Sequence, residues 1–137
     1  MIRNYKDEDY EQIKKLYSHS DWFGGQFDEA RDSREKLAKV TSLDSESVLV
    51  FEDAGEIAGS VSLIEDGRVA WLFRYVVKDN DLDVARELYE KAIDILKIRG
   101  HSQVLVYSPI DDINLERRYL ELGMNKGNYF TAFWRDI

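Results

Sequence analysis

"VVKDNDLDVARELYEK", residues 76–91, passes from an apolar β-type run into an amphipathic helix through a turn that carries Asp79, Asp81 and Asp83. Beyond the turn, Val84, Leu88, Ala92 and Ile95 recur at helical spacing, Lys97 and Arg99 stand in the last turn, and Gly100 ends the pattern. The spacing predicts a helix over roughly residues 83–99. Upstream, "SVLVFED" (47–53), "EIAGSVSLIED" (56–66) and "RVAWLFRYVV" (68–77) are separated by turn signals ending at Gly55 and Gly67. They read as an antiparallel three-strand meander. A meander followed by a helical crossover into the apolar run "QVLVYS" (103–108) places that new strand parallel to the end of the meander.

Working outward, "IRNY" (2–5) reads as a short strand, after which Asp7 caps a helix with Tyr10, Ile13, Leu16 and Tyr17 on one face. "DWFGGQF" (21–27) is a loop rich in aromatics, and a second helix follows with Ala30, Arg34, Leu37 and Val40 sharing a face. After residue 108, Asp111 or Asp112 caps a last helix with Leu115, Tyr119 and Leu122 on one side, and Gly123 stops it. "NYFTAFWRDI" (128–137) closes the chain as a strand. The expectation is one α/β domain over residues 1–137, with a mixed, mainly antiparallel sheet and helices on both faces.

Composition narrows the function classes. The 137 residues are 44% hydrophobic and 12% aromatic, enough for one real core. A formal charge of −8 argues against a nucleic-acid backbone or an anionic membrane as the main partner, since both demand clustered Lys and Arg. A cationic or neutral small molecule is easier to accommodate. The chain has no cysteine, so thiolate chemistry, thiolate metal sites and disulfides are excluded. "MIRNYKDEDY" has no apolar signal core and no apolar run approaches a membrane span, which gives the expectation of a soluble, cytoplasmic protein.

The turn at 78–83 has two readings in its own right. Strand-to-helix turns that hold phosphate are usually glycine-rich, because bare backbone N–H groups and the helix N-terminus both attract anions. This one has no glycine. Asp79, Asp81, Asp83 and Glu90 match the spacing of an EF-hand calcium loop, but Val84 stands where that loop needs glycine, and the helical periodicity carries Glu90 away. No metal site is expected. The simpler reading makes Asp81 or Asp83 the helix cap and leaves the other acids in its first turn. His19 and His101 are isolated near helix ends and read as capping or exposed. Glu52 and Glu65 are candidates for a base that deprotonates an amine directly or through water. Tyr119 shares an apolar face and reads from spacing alone as a half-buried core tyrosine.

The element order, with "IRNYKDEDYEQIKKLY" opening the chain, Asp9 near its start, and "YLELGM" (119–124) near its end, resembles the GNAT superfamily of N-acetyltransferases over nearly the whole length. The resemblance implies transfer of an acetyl group from acetyl-coenzyme A to a small-molecule or protein amine, by direct attack of the neutral amine on the thioester. It implies Tyr119 as the general acid for the departing thiolate. The pantetheine arm would lie between the ends of "LFRYVV" and "QVLVYS", and the cofactor-binding set would be Val76, Val77, Asn80, Asp81, Leu82, Asp83, Val84, Ala85 and Arg86. Trp22, Phe23 and Phe27 would line the acceptor pocket, although a loop packing its aromatics against the sheet reads the same. A homodimer is compatible with the family pattern. In the family's pyrophosphate motif the matching positions are Asn80, Asp83 and Ala85, of which only Ala85 fits, and Asp112 stands where an Asn is often found. Lys78 and Arg86 are placed to offset the acids. The departure at the turn motivates the alternative, a GNAT-like fold kept as a non-catalytic binding or interaction module without coenzyme A.

Overall fold

The computed structural model describes residues 1–19 and 27–137. Its order is β1 (Ile2–Asn4), α1 (Tyr10–His19), α2 (Glu29–Asp32), α3 (Arg34–Leu43), β2 (Val48–Asp53), β3 (Glu56–Glu65), β4 (Ala70–Val77), α4 (Leu82–Ile98) and α5 (Ile113–Glu121). Four strands form one sheet in the order β1-β2-β3-β4, every neighbour antiparallel. Ala54 and Gly55, both at positive φ, close the β2–β3 hairpin.

Helices cover both faces of the sheet, and for this reason β3 and β4 are buried along most of their length rather than alternating. On one face, Val84, Leu88, Ala92 and Ile95 of α4 and Leu115, Tyr119 and Leu122 at α5 pack on Leu49, Val61, Leu72 and Tyr75. On the other, Ile13, Leu16 and Tyr17 of α1 and Leu37 of α3 pack on Val48, Val50 and Val76. Gly59 of β3 sets the approach of α4, because a Cβ there would lie 2.9 Å from Leu88 Cδ1 and 3.0 Å from Val84 Cγ1.

Four local expectations are corrected. Asp7 does not cap α1; Asp9 closes the preceding 3-10 turn by accepting from the Lys6 amide at 2.8 Å, and Asp7 pairs with Arg34 instead. The second predicted helix breaks at Ser33, which is extended, and leaves Val40 exposed. Residues 103–108 meet β4 through a single parallel bridge, Trp71 with Leu105, with amide bonds Leu72 to Leu105 and Leu105 to Ala70 at 2.9 Å each. Residues 128–137 form no strand and are exposed. Both late segments depend on pairing that local sequence cannot supply.

Candidate functional site

The turn after β4 is a 3-10 segment, Lys78–Asn80, with Asp79 and Asn80 at positive φ. Two adjacent non-glycine residues in the left-handed region are rare, and Asn and Asp tolerate it best. Asp81 is the N-cap of α4: its Oδ1 accepts from the amides of Asp83 at 3.0 Å and Val84 at 3.2 Å. Two of the amides that would greet an anion at this helix end are thus satisfied by the chain's own carboxylate. Asp83 is exposed in the first turn, and the helix places Glu90 about 10 Å further along its axis. Lys78 reaches Glu56 at 3.2 Å, and Arg86 donates to the Glu121 carbonyl of α5 at 3.3 Å, so neither cation turns to the turn's interior. Asn80 Oδ1 is buried there without a hydrogen-bond partner. This turn does not fit a pyrophosphate.

The adjoining strand edge is different. Beyond the Trp71–Leu105 bridge, no backbone pairing joins the C-terminal half of β4 to residues 103–108 among the described residues. The open edge contains a bulge: the register with β3 slips between Ser60 and Ser62, and Arg74 opposite has φ 47°. A bulge re-aims the backbone and interrupts the regular ladder. Val76 and Val77 contribute only backbone to this edge, because their side chains are buried in opposite layers.

The bulge is fixed from below by a buried ion pair that the sequence reading did not single out. Arg74, 7% exposed, donates through Nε and Nη2 to Asp32, 2% exposed, at 2.9 and 2.8 Å. Asp32 Oδ2 also accepts from the Asp28 amide at 2.9 Å, and Tyr10 donates to the Asp32 carbonyl at 3.3 Å. Phe73 and Tyr17 flank the guanidinium. An arginine inside the apolar run "AWLFRYVV" was the available signal, since a buried charge demands a partner.

Tyr119 lies on the buried face of α5, its ring 6.4 Å from that of Tyr75, and Tyr75 donates from its hydroxyl to the Ala85 carbonyl at the start of α4. Burial pushes both phenols well above their ordinary range, helped for Tyr119 by the charge of Asp112. Tyr119 therefore keeps its proton at neutral pH, and burial makes it a weaker acid than a free phenol. Asp112 is the cap of α5, accepting from the Leu115 amide at 2.9 Å.

The remaining candidates are distributed. Leu82, Ala85 and Arg86 sit in the first turns of α4. Phe27 packs against the α1 layer with Lys14 over its ring at 5.0 Å; Trp22 and Phe23 lie outside the described residues. Glu52 bonds Arg3 at 2.8 Å, and that bond lowers its pKa. Glu65 bonds His101 at 2.6 Å and Arg99 at 3.2 Å, and the His101 contact lowers it. Both carboxylates are committed to pairs and are correspondingly weak bases. His101, read as capping or exposed, is half-buried with its side chain covered against Glu65, whereas His19 bonds the Lys15 carbonyl at the end of α1.

By sequence the chain matches no family model and no curated protein. By structure it is similar to Ard1 from Thermoplasma volcanium, with a TM-score of 0.74 and 15% identity over 90% of this chain and 80% of that one. It is similar to the PaiA N-acetyltransferase of Thermoplasma acidophilum in complex with coenzyme A, with a TM-score of 0.73 and 21% identity over 88% and 86%. The aminoglycoside 6'-N-acetyltransferase AAC(6')-Ig of Acinetobacter haemolyticus, in its apo form, matches with a TM-score of 0.74 and 14% identity over 100% and 99%. A chain with this element order, these two helical layers and this opening beside β4 carries the GNAT fold of the N-acetyltransferases.

Proposed function

We propose that the chain transfers an acetyl group from a thioester to an amine, and that it holds the donor by its pantetheine-type arm along the open edge of β4 rather than by a diphosphate at the turn. The observation that carries this reading is the bulge in β4 between its Phe73 and Val76 pairings with β3, beside residues 103–108, which among the described residues pair with β4 at Leu105 alone. Acetyl-coenzyme A, when bound, supplies an electrophilic carbonyl and a thiolate leaving group. The residues of the chain do the rest: backbone amides of the edge orient the arm's amides, and Tyr119 holds a phenolic proton for the departing sulfur. Holding the amine against the carbonyl accounts for much of the rate. The net charge of −8 favours a cationic acceptor, a small-molecule or protein amine, and Phe27 stands on the layer where one would approach.

The Asp81 cap supports a second reading, a GNAT-fold binding module without coenzyme A. Calorimetric titration with acetyl-coenzyme A and with acetyl-pantetheine, which lacks the nucleotide, separates the two. On our reading both ligands bind with affinities within about tenfold, a difference of about 1.4 kcal/mol. Silence of both at millimolar concentration establishes the binding module. Strong preference for the full coenzyme overturns the assignment of grip to the edge.

A further inference from the structure

The bridge between Trp71 and Leu105 fixes which side chains share a face of the sheet. Leu72 of β4, with Val104 and Val106 of the neighbouring segment, packs into the α4 layer, so strand alternation sends Trp71, Phe73, Leu105 and Tyr107 to the opposite face. The rings bear this out: Trp71 and Tyr107 stack with centroids 4.6 Å apart and planes 30° from parallel. Among the described residues none of these four belongs to either core, and Tyr107 is 72% exposed. Ile64, paired with Trp71 from β3, is half exposed on the same face.

This aromatic face lies where β4 and residues 103–108 part. Phe73 and Tyr107 each stand two residues past the bridge, and among the described residues no backbone pairing joins the two segments beyond it. Tyr119 lies in the α4 layer, so the opening has a buried phenol on one side and the exposed stack on the other. The arginines of this part of β4 and its turn are committed: Arg74, 4.8 Å from the centre of the Phe73 ring, is held by Asp32, and Arg68 by Asp66. Asp111, four residues beyond Tyr107, is exposed and makes no ion pair among the described residues. The face is therefore aromatic, accessible and bordered by uncompensated negative charge.

We propose that the Trp71–Tyr107 stack is the seat of an amine carried on an aromatic ring, the ring lying on the outer face of Tyr107. A flat ring extends the existing stack and gains from offset packing beyond the area it buries, whereas an alkyl group gains from area alone. The ammonium of such a ligand is drawn to this face by Asp111 and by the net charge of −8. An exposed tyrosine costs nothing to desolvate on the side it already shares with Trp71, and its free side is the one that a ligand covers. The role of the bound amine as acetyl acceptor rests on the acyl-transfer reading; the seat for its ring does not.

The test is calorimetric titration of the full chain with 2-phenylethylamine and with 2-cyclohexylethylamine, which share ammonium and tether and differ in whether the ring is aromatic. Tyr107→Leu and Tyr107→Phe are titrated alongside. Wild type is expected to bind the phenyl amine about threefold to tenfold more tightly than the cyclohexyl amine, Tyr107→Leu to lose that preference, and Tyr107→Phe to keep it. A wild type that binds neither amine or does not distinguish them, or a preference that survives Tyr107→Leu, overturns the subsite. Should a variant fail to fold, the comparison of the two amines on wild type decides. Acetylation of the same amines from acetyl-coenzyme A is measured separately. A binding preference without acetylation overturns the acyl-transfer reading and keeps the subsite, whereas acetylation of both amines with equal kcat/KM and no binding preference overturns the subsite and keeps acyl transfer.

Discussion

At the scale of single residues, the buried Arg74–Asp32 pair and Tyr119 have different duties. Arg74 is held at positive φ inside a strand, and its guanidinium is matched by two carboxylate oxygens that also take the Asp28 amide. Removing one partner of such a pair leaves an uncompensated buried charge. Asp32→Ala is therefore expected to cost about 3–5 kcal/mol, read from urea denaturation. A loss below about half a kcal/mol, typical of surface changes, would mean that the pair is not buried in solution. For Tyr119, Phe keeps the packing against Tyr75 and Leu115 but removes the proton. On the acyl-transfer reading, Tyr119→Phe lowers kcat by about 10²–10⁴ while donor affinity and melting temperature stay close to wild type. Unchanged kcat with an active amine would return Tyr119 to a packing role.

At the scale of elements, the junction of β4 and α4 is governed by Asp81. Its carboxylate satisfies two amides of the first turn, and Ala85 donates back to the Asp81 carbonyl at 3.0 Å. Serine also caps well but carries no charge, whereas alanine does neither. Asp81→Ala is expected to lose about 1 kcal/mol of stability, and Asp81→Ser to stay within a few tenths. If the turn lies near the diphosphate of a bound coenzyme, Asp81→Ser also improves the affinity for acetyl-coenzyme A over acetyl-pantetheine at low salt, and added salt shrinks the gain by screening. Equal affinities for the two donors in wild type and variant place the turn away from the ligand.

At the scale of the molecule, ion pairs tie the two ends of the sheet to the helices. Arg3 bridges Asp9 and Glu52, and Arg99 at the end of α4 bridges Asp44, Glu46 and Glu65. Burial opposes ionisation of Asp9, but the Arg3 hydrogen bonds and the Lys6 amide override it and hold its carboxyl below the ordinary value. The Arg99 hydrogen bond does the same for Asp44, and His101 for Glu65. A carboxyl depressed in the folded state contributes stability that is present above its unfolded pKa, about 4, and lost as pH falls through the folded value. The urea midpoint is expected to decline below about pH 4. Arg99→Met should lower it at neutral pH and flatten that decline, since Asp44 then titrates nearer its unfolded value. An acid limb identical to wild type would show that these pairs are broken in solution. No helix among the described residues is long and apolar enough to cross a membrane.

Local periodicity and turn chemistry determined the meander, the α4 face of Val84, Leu88, Ala92 and Ile95 and its end at Gly100, and narrowed the cap of α5 to Asp111 or Asp112, because each depends on neighbours within a few residues. Sequence order also determined the helices on both faces, and it narrowed the cap of α4 to Asp81 or Asp83. The break at Ser33 was decided elsewhere: Asp32 is drawn inward to a residue 42 positions away, overriding the helical pattern of Ala30, Arg34 and Leu37. The same long-range pair marks the bulge in β4, a feature with no local signature. Residues 103–108 and 128–137 read as strands by composition, but a strand exists only where another strand pairs with it. Sequence thus determined which segments are able to bury themselves, and tertiary structure alone decided which edges of the sheet remain open.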